Sequence, residues 1–325
     1  LSCADSRTAL AGGCCGTTPE FIAALSRKLK TKEKQSSVFP SFSAEEEEEL
    51  PHSGISYDPP LLSSQISQGE ALVMELLPPR GGDLSFFTRR AEAFRKYSPV
   101  TLSIPDSPMG KVRMSPCISG LYLKQKLGME PLVHFALRDR SLTRVQADLL
   151  ALAGSGIQGI FLISGDPPSL GDYPESTAVY DLTTDETLGL LHKLSMGMDL
   201  NGRKIGTGAG FFPGSALSLG DAGSAEKVKR RWELGCRFFI TQPVYSLRTV
   251  EENGALFEEY PILPALMPFR NRYSAEYLAS EVPGISIPDG FLRRVRELKD
   301  EDVPAFSVDY LAELMDSIRD TVSGV

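Results

Sequence analysis

Residues 131–168 read PLVHFALRDRSLTRVQADLLALAGSGIQGIFLISGDPP, and this stretch decides the fold. Two short apolar runs, PLVHFAL (131–137) and GIFLISG (159–165), flank a segment in which Leu142, Val145, Leu149 and Leu152 share one helical face. A strand, a helix with one apolar face and a second strand make a βαβ unit, with its strands parallel in one sheet.

The same form recurs outward without repeating sequence. Upstream lie ALVMELL (71–77) and VTLSIP (100–105). Downstream lie KIGTGAGFF (204–212), RFFITQ (237–242) and PILPALMP (261–268). The last helix is carried by Val308, Leu311, Met315, Ile318 and Val322. Seven strand–helix units predict an α/β chain folded as a (β/α)8 TIM barrel, a fold of about 250 residues. The alternative is an open doubly wound sheet, weakened because no strand opens into GxGxxG. Only SGV follows the last helix, so an eighth strand is expected to be missing. Two sheet edges would then be unpaired, and a chain truncated at its C-terminus, or closed by another element, is the expected reason.

The rest of the chain frames this barrel. Among 325 residues, 42% are hydrophobic and 23% charged, enough for a sizeable core. Lys and Arg total 34 against 42 Asp and Glu, and the net charge of −8 argues against nucleic-acid binding. No apolar run approaches the roughly 18 residues of a membrane span, and no secretory leader is visible. Five scattered cysteines fit a reducing, cytoplasmic compartment. Residues 1–30 form a short remnant of another domain, in which FIAALSRKL reads as a helix. Residues 31–69, with five consecutive glutamates and Ser/Pro-rich flanks, read as a linker. Residues 70–325 are the barrel.

Active sites of such barrels gather at the C-terminal ends of the strands. Polar groups stand there in four units: Glu75 before Pro78-Pro79-Arg80, His134 before Arg138-Asp139-Arg140, Ser164-Gly165-Asp166 before two prolines, and Gln242 in Thr-Gln-Pro. Each also has a plain structural reading. Glu75 could pair with an arginine, Asp166 could set a turn, His134 could be a satisfied core histidine, and Gln242 could cap a layer of the barrel. Convergence on one rim favours function.

Taken together, ELLPPRG, H-x3-RDR, SGDPP, TQPVY and the later PGISIPDGFLRRV (283–295) resemble the methylenetetrahydrofolate reductase family over residues 70–325. The resemblance implies a barrel that binds flavin at the strand ends without a Rossmann motif. It implies reduction of 5,10-methylenetetrahydrofolate to 5-methyltetrahydrofolate, with NAD(P)H as the electron donor. Glu75 matches the family's acid and Asp166 its Gly-Asp carboxylate. Gln242 matches a pterin-binding residue, and Leu278 falls near the stacked substrate. His134, Ser164, Gly165, Asp166, Tyr180, Lys227 and Arg231 match flavin-binding positions, the last two near the diphosphate and ribose; a solvated basic helix face is the plain alternative. Ser164 stands where many members have Arg or Thr, and Arg231 where they have Lys, so the flavin is FAD or FMN.

GGCCGTTPE (12–20) resembles the closing segment of a homocysteine S-methyltransferase domain, a zinc enzyme found fused to such reductases. Cys14 and Cys15 match two of its three zinc-binding cysteines. Zinc needs about three or four protein ligands, so the site is incomplete in this chain. The partners implied are folate, a possible homo-oligomer and a possible electron-transfer subunit. A degenerate barrel serving as an interaction subunit is the rival reading. A phosphate-binding aldolase or isomerase is a third; no lysine beyond Lys204 stands in the strand runs to serve it.

Overall fold

The computed structural model describes residues 60–325 apart from 207, 222 and 282–284, together with Pro19, Glu20, Ala23, Ala24 and Arg27. The chain divides into two compact units, Leu1–Glu49 and Leu50–Val325. In the first unit the described residues are helical and exposed, in keeping with the helix read there. Cys14, Cys15 and residues 31–59 lie outside the described residues.

In the second unit seven parallel strands follow one another in chain order around one curled sheet, a TIM-like architecture. They are β1 (Val73–Glu75), β2 (Thr101–Ile104), β3 (Pro131–Ala136), β4 (Gly159–Ile163), β5 (Phe212–Leu217), β6 (Phe238–Pro243) and β7 (Ile262–Ala265). Helices connect them: α1 (Leu61–Gln68) precedes β1, then α2 (Ser85–Arg95), α3 (Pro116–Leu127), α4 (Leu142–Gly154), α5 (Thr184–Ser195) and α6 (Ser224–Glu233) follow in turn. After β6 come α7 (Leu247–Glu252) and α8 (Gly254–Glu259), and after β7 come α9 (Arg272–Glu281), α10 (Asp289–Glu297) and α11 (Val303–Ile318).

Strand alternation divides the core. Val133 and Phe135 of β3, Ile160 and Leu162 of β4, Phe239 of β6 and Ile262 of β7 join the helices in one buried cluster. Their neighbours Leu132, Phe161, Phe238 and Leu263 point to the other face and form a second cluster. The two-residue period of a strand produces this partition. Phe238 stacks with Phe212 at 5.5 Å and with Phe161 at 6.4 Å, filling the barrel interior at its lower end. Helix α1 belongs to this interior cluster through Leu62 and Ile66. It therefore packs with the barrel, although it lies inside the stretch read as a linker.

Local signals explain the helix starts. Ser141 caps α4 by accepting from the Arg144 amide. Thr183 and Glu186 form a reciprocal capping box at α5, bonding at 3.2 and 2.8 Å. Val145, Leu149 and Leu152 are buried as their spacing requires. On α11, Leu311 and Ile318 are buried but Val308 is half exposed, so the buried stripe is narrower than the sequence pattern.

Two corrections concern strands. The fifth strand is Phe212–Leu217, not residues 204–212. Before it, Lys204 makes an isolated antiparallel bridge with Met198 and Gly206 takes φ 96°. Pro213 and Gly214 are poor strand formers, but pairing to β4 and β6 on both sides overrides propensity. The outer edge of β1 is also not bare. Gly324 bridges Ala71 in parallel, Val325 N donates to Ala71 O at 2.8 Å, and Val73 N donates to Val325 O at 2.7 Å. Among the described residues no helix is long and apolar enough to cross a membrane.

Candidate active site

The strand ends surround two adjoining cavities of about 430 and 560 Å³, both lined by Glu75, His134, Ile163, Ala216 and Gln242. The second lies within the sheet and reaches from Val73 on β1 to Met267 after β7. The first is polar, and Ser164, Gly165, Asp166, Lys227 and Arg231 complete its wall. Of the barrel residues matched to catalytic, substrate or flavin positions in the sequence, all but Tyr180 and Leu278 meet here. Leu278 packs against the hydrophobic core from α9. Tyr180 stands outside the cavity wall at φ 46°, donating from its hydroxyl to Gly165 O at 3.2 Å.

Glu75 ends β1 in register with Ser103. Solvent reaches its side chain through the cavity, yet protein surrounds the carboxyl closely enough to oppose ionisation. Burial raises its pKa above the ordinary carboxylate value, with Arg113 and then Arg90 pulling the other way. Arg113 is anchored by donating to Pro78 O at 2.8 Å. This cation was not singled out in the sequence, because it is far from any strand end.

His134 faces inward from β3. Its ring lies 4.8 Å from that of Phe161, and its Nε2 shares a 2.6 Å hydrogen bond with Ser103 Oγ. Burial pushes its pKa down to about 3, so the imidazole is neutral.

Asp166 is placed by the turn after β4. Gly165 takes φ 86°, and a Cβ there would lie 3.1 Å from the Cβ atoms of both Ala136 and Arg138. Only glycine fits without displacing them. Arg138 donates from Nη1 to Asp166 O at 2.8 Å and pairs with Asp139. Arg140 instead turns into the protein, pairing with Asp106 at 2.6 Å and Asp148 at 3.2 Å. The Arg-Asp-Arg run thus braces the rim and does not enter the cavity.

On the opposite wall Arg231 donates to Asp185 Oδ1 at 2.9 Å and to Ser215 Oγ at 2.7 Å, and Arg230 shares Asp185. Lys227 has no ion-pair partner among the described residues. Ser218 Oγ is buried in the same wall without a hydrogen-bond partner. A free ammonium, a fixed guanidinium and an unsatisfied hydroxyl form a wall suited to phosphate oxygens. Ser218 directly follows β5, whose Pro213 and Gly214 give it no strand signal of its own, so nothing in the sequence marks Ser218 as a strand-end residue. Among the described residues no group of His, Cys, Asp and Glu has the makings of a metal site.

The family model described as methylenetetrahydrofolate reductase matches residues 62–324. No curated protein sequence matches the chain. Among solved structures, a 2,3-dimethylmalate lyase, described as a PEP mutase/isocitrate lyase superfamily member, is similar at 9% identity with a TM-score of 0.42. The match covers 81% of this chain and 87% of that one.

Proposed function

Because the chain belongs to the methylenetetrahydrofolate reductase family, we propose that it reduces 5,10-methylenetetrahydrofolate to 5-methyltetrahydrofolate with a flavin, FAD or FMN, and NAD(P)H. The observation that carries this reading is the convergence of Glu75, His134, Asp166 and Gln242 on one cavity wall beside the phosphate-suited surface of Ser218, Lys227 and Arg231. When bound, the flavin supplies hydride transfer from reduced nicotinamide to the folate.

The protein's own groups supply the rest. The folate's five-membered ring must open to a 5-iminium cation before its one-carbon unit accepts hydride. Opening requires a proton at N10, and Glu75 is the donor. Its raised pKa keeps the carboxyl protonated nearer neutrality. The Asp166 carboxylate stabilises the cation electrostatically. Gln242, whose side chain lines both cavities, orients the pterin through its amide. Lys227, Arg231 and Ser218 would hold the flavin's phosphate, and His134, neutral in the same cavity wall, would add no cation to the site.

Residues 1–30 are read in this proposal as the end of a homocysteine S-methyltransferase domain, with Cys14 and Cys15 part of its zinc site. That part rests on the GGCCGTTPE motif alone.

The test is an absorbance spectrum of the purified chain with added flavin, followed by anaerobic titration. Bands near about 380 and 450 nm should bleach with NADH or NADPH and return with methylenetetrahydrofolate. Protein that takes up no flavin, or flavin that folate leaves reduced, would overturn the proposal and favour a non-catalytic barrel.

A further inference from the structure

The loop beyond β2 reaches across the rim to Asp166. The Met109 backbone amide donates to Asp166 Oδ2 at 2.5 Å. Met109 lies in the short turn Pro108–Gly110 at φ 56°, and Ser107 before it stands at φ 44°. Non-glycine residues seldom adopt such angles unless their surroundings impose them.

The surroundings here form a clasp. Val112 N donates to Asp172 Oδ2 at 3.0 Å, and Asp172 N donates to Gly110 O at 3.3 Å. Gly110 and Gly171 pack so closely that a Cβ on Gly171 would overlap the Gly110 carbonyl. The second strand of the clasp, residues 167–172, begins immediately after Asp166. Asp166 is thus held twice: Arg138 fixes its carbonyl, and the Met109 amide fixes one carboxylate oxygen. Its other oxygen, Oδ1, has no hydrogen-bond partner among the described residues, and Asp166 lines the cavity.

We propose that the Met109 amide, locked by the clasp of residues 107–112 with 167–172, is a positioning group for the reaction: it commits one Asp166 oxygen to the rim and leaves the other for the cavity. The functional half of this inference rests on the role given to Asp166 above. The donor is a backbone amide in a turn, so side-chain identity at position 109 carries no trace of it. Its dependence falls instead on Gly110, Gly171 and Asp172.

Two measurements on the full chain test it. The first is hydrogen exchange of the Met109 amide without added flavin. Asp166→Ala and Gly171→Ala should each speed exchange about tenfold or more, by removing the acceptor and by parting the clasp. Gly82→Ala, in open space, is the control. Unchanged exchange in both variants would overturn the clasp.

The second is the reduction potential of bound flavin in a mutant cycle. Asp166→Asn should raise the potential, because a negative charge is lost. Gly171→Ala should raise it by a smaller amount, and add nothing in the Asp166→Asn background. If Gly171→Ala shifts the potential equally in both backgrounds, the positioning role falls while the reading of Asp166 stands. If Asp166→Asn leaves the potential unchanged, the reading of Asp166 falls and the positioning role with it. Should Gly171→Ala fail to fold, Asp172→Ala against Asp172→Asn carries the same comparison, since Asn retains an acceptor for Val112. Asp172→Ala should then behave as the parted clasp and Asp172→Asn as wild type; equal behaviour of the two would overturn the proposal.

Discussion

Ser103 Oγ and His134 Nε2 share a hydrogen bond of 2.6 Å across the seam between β2 and β3, and it anchors a neutral imidazole in the cavity wall. With the folded-state pKa near about 3 and an ordinary value of 6.5, the unfolded chain binds the extra proton between them. Stability from this residue is therefore full above pH 6.5 and lost as pH falls toward 3. His134→Gln should flatten the acid side of a stability–pH curve, removing a slope of up to about 1.4 kcal/mol per pH unit. Urea titrations of both proteins between these limits would check it, and an unaltered slope would contradict it.

Arg113 lowers the Glu75 pKa against the larger effect of burial. Removing this cation should let Glu75 hold its proton to higher pH. In Arg113→Gln the alkaline limb of the folate-reduction profile should move upward, with the acid limb in place. A downward or absent shift in steady-state pH profiles would argue against Glu75 as the proton donor.

Gly165→Ala should cost about 1–3 kcal/mol, because it combines a left-handed backbone angle with crowding against Ala136 and Arg138. Loss of folate reduction should exceed loss of fold, since the turn carries Asp166. Thermal melts beside activity measurements would separate the two effects.

Lys227→Met should weaken flavin binding about tenfold, or about 1.4 kcal/mol, with riboflavin affinity unchanged because it lacks phosphate. Lys229→Met, on an exposed position of the same helix, is the control. Fluorescence titration reads both. Equal weakening for riboflavin would remove Lys227 from the phosphate wall.

The strand–helix order of the barrel was legible in the sequence because every strand but one falls within, or one residue from, a mainly apolar run. The exception, β5, contains Pro213 and Gly214, and its place is set by two flanking strands rather than by its own residues. Ser218, directly after it, is left unmarked for the same reason. Glu75, Gln242 and Asp166 could be found because they stand at a strand end or in the turn just after one. Arg113 and the Met109 amide could not, since loops bring them to the rim and one of them acts through its backbone. Leu278 is tied to the site by the resemblance alone; on α9 it is half-buried and packs against the core cluster.

The most direct test is rapid mixing of flavin-loaded Glu75→Gln beside wild type, with each half-reaction followed anaerobically. Reduction by NAD(P)H should proceed at the wild-type rate, while reoxidation by methylenetetrahydrofolate should fall by about 10²–10⁴-fold, the range general acids contribute. Reoxidation at the wild-type rate would contradict the assignment of Glu75 as the acid at N10 and the mechanism built on it.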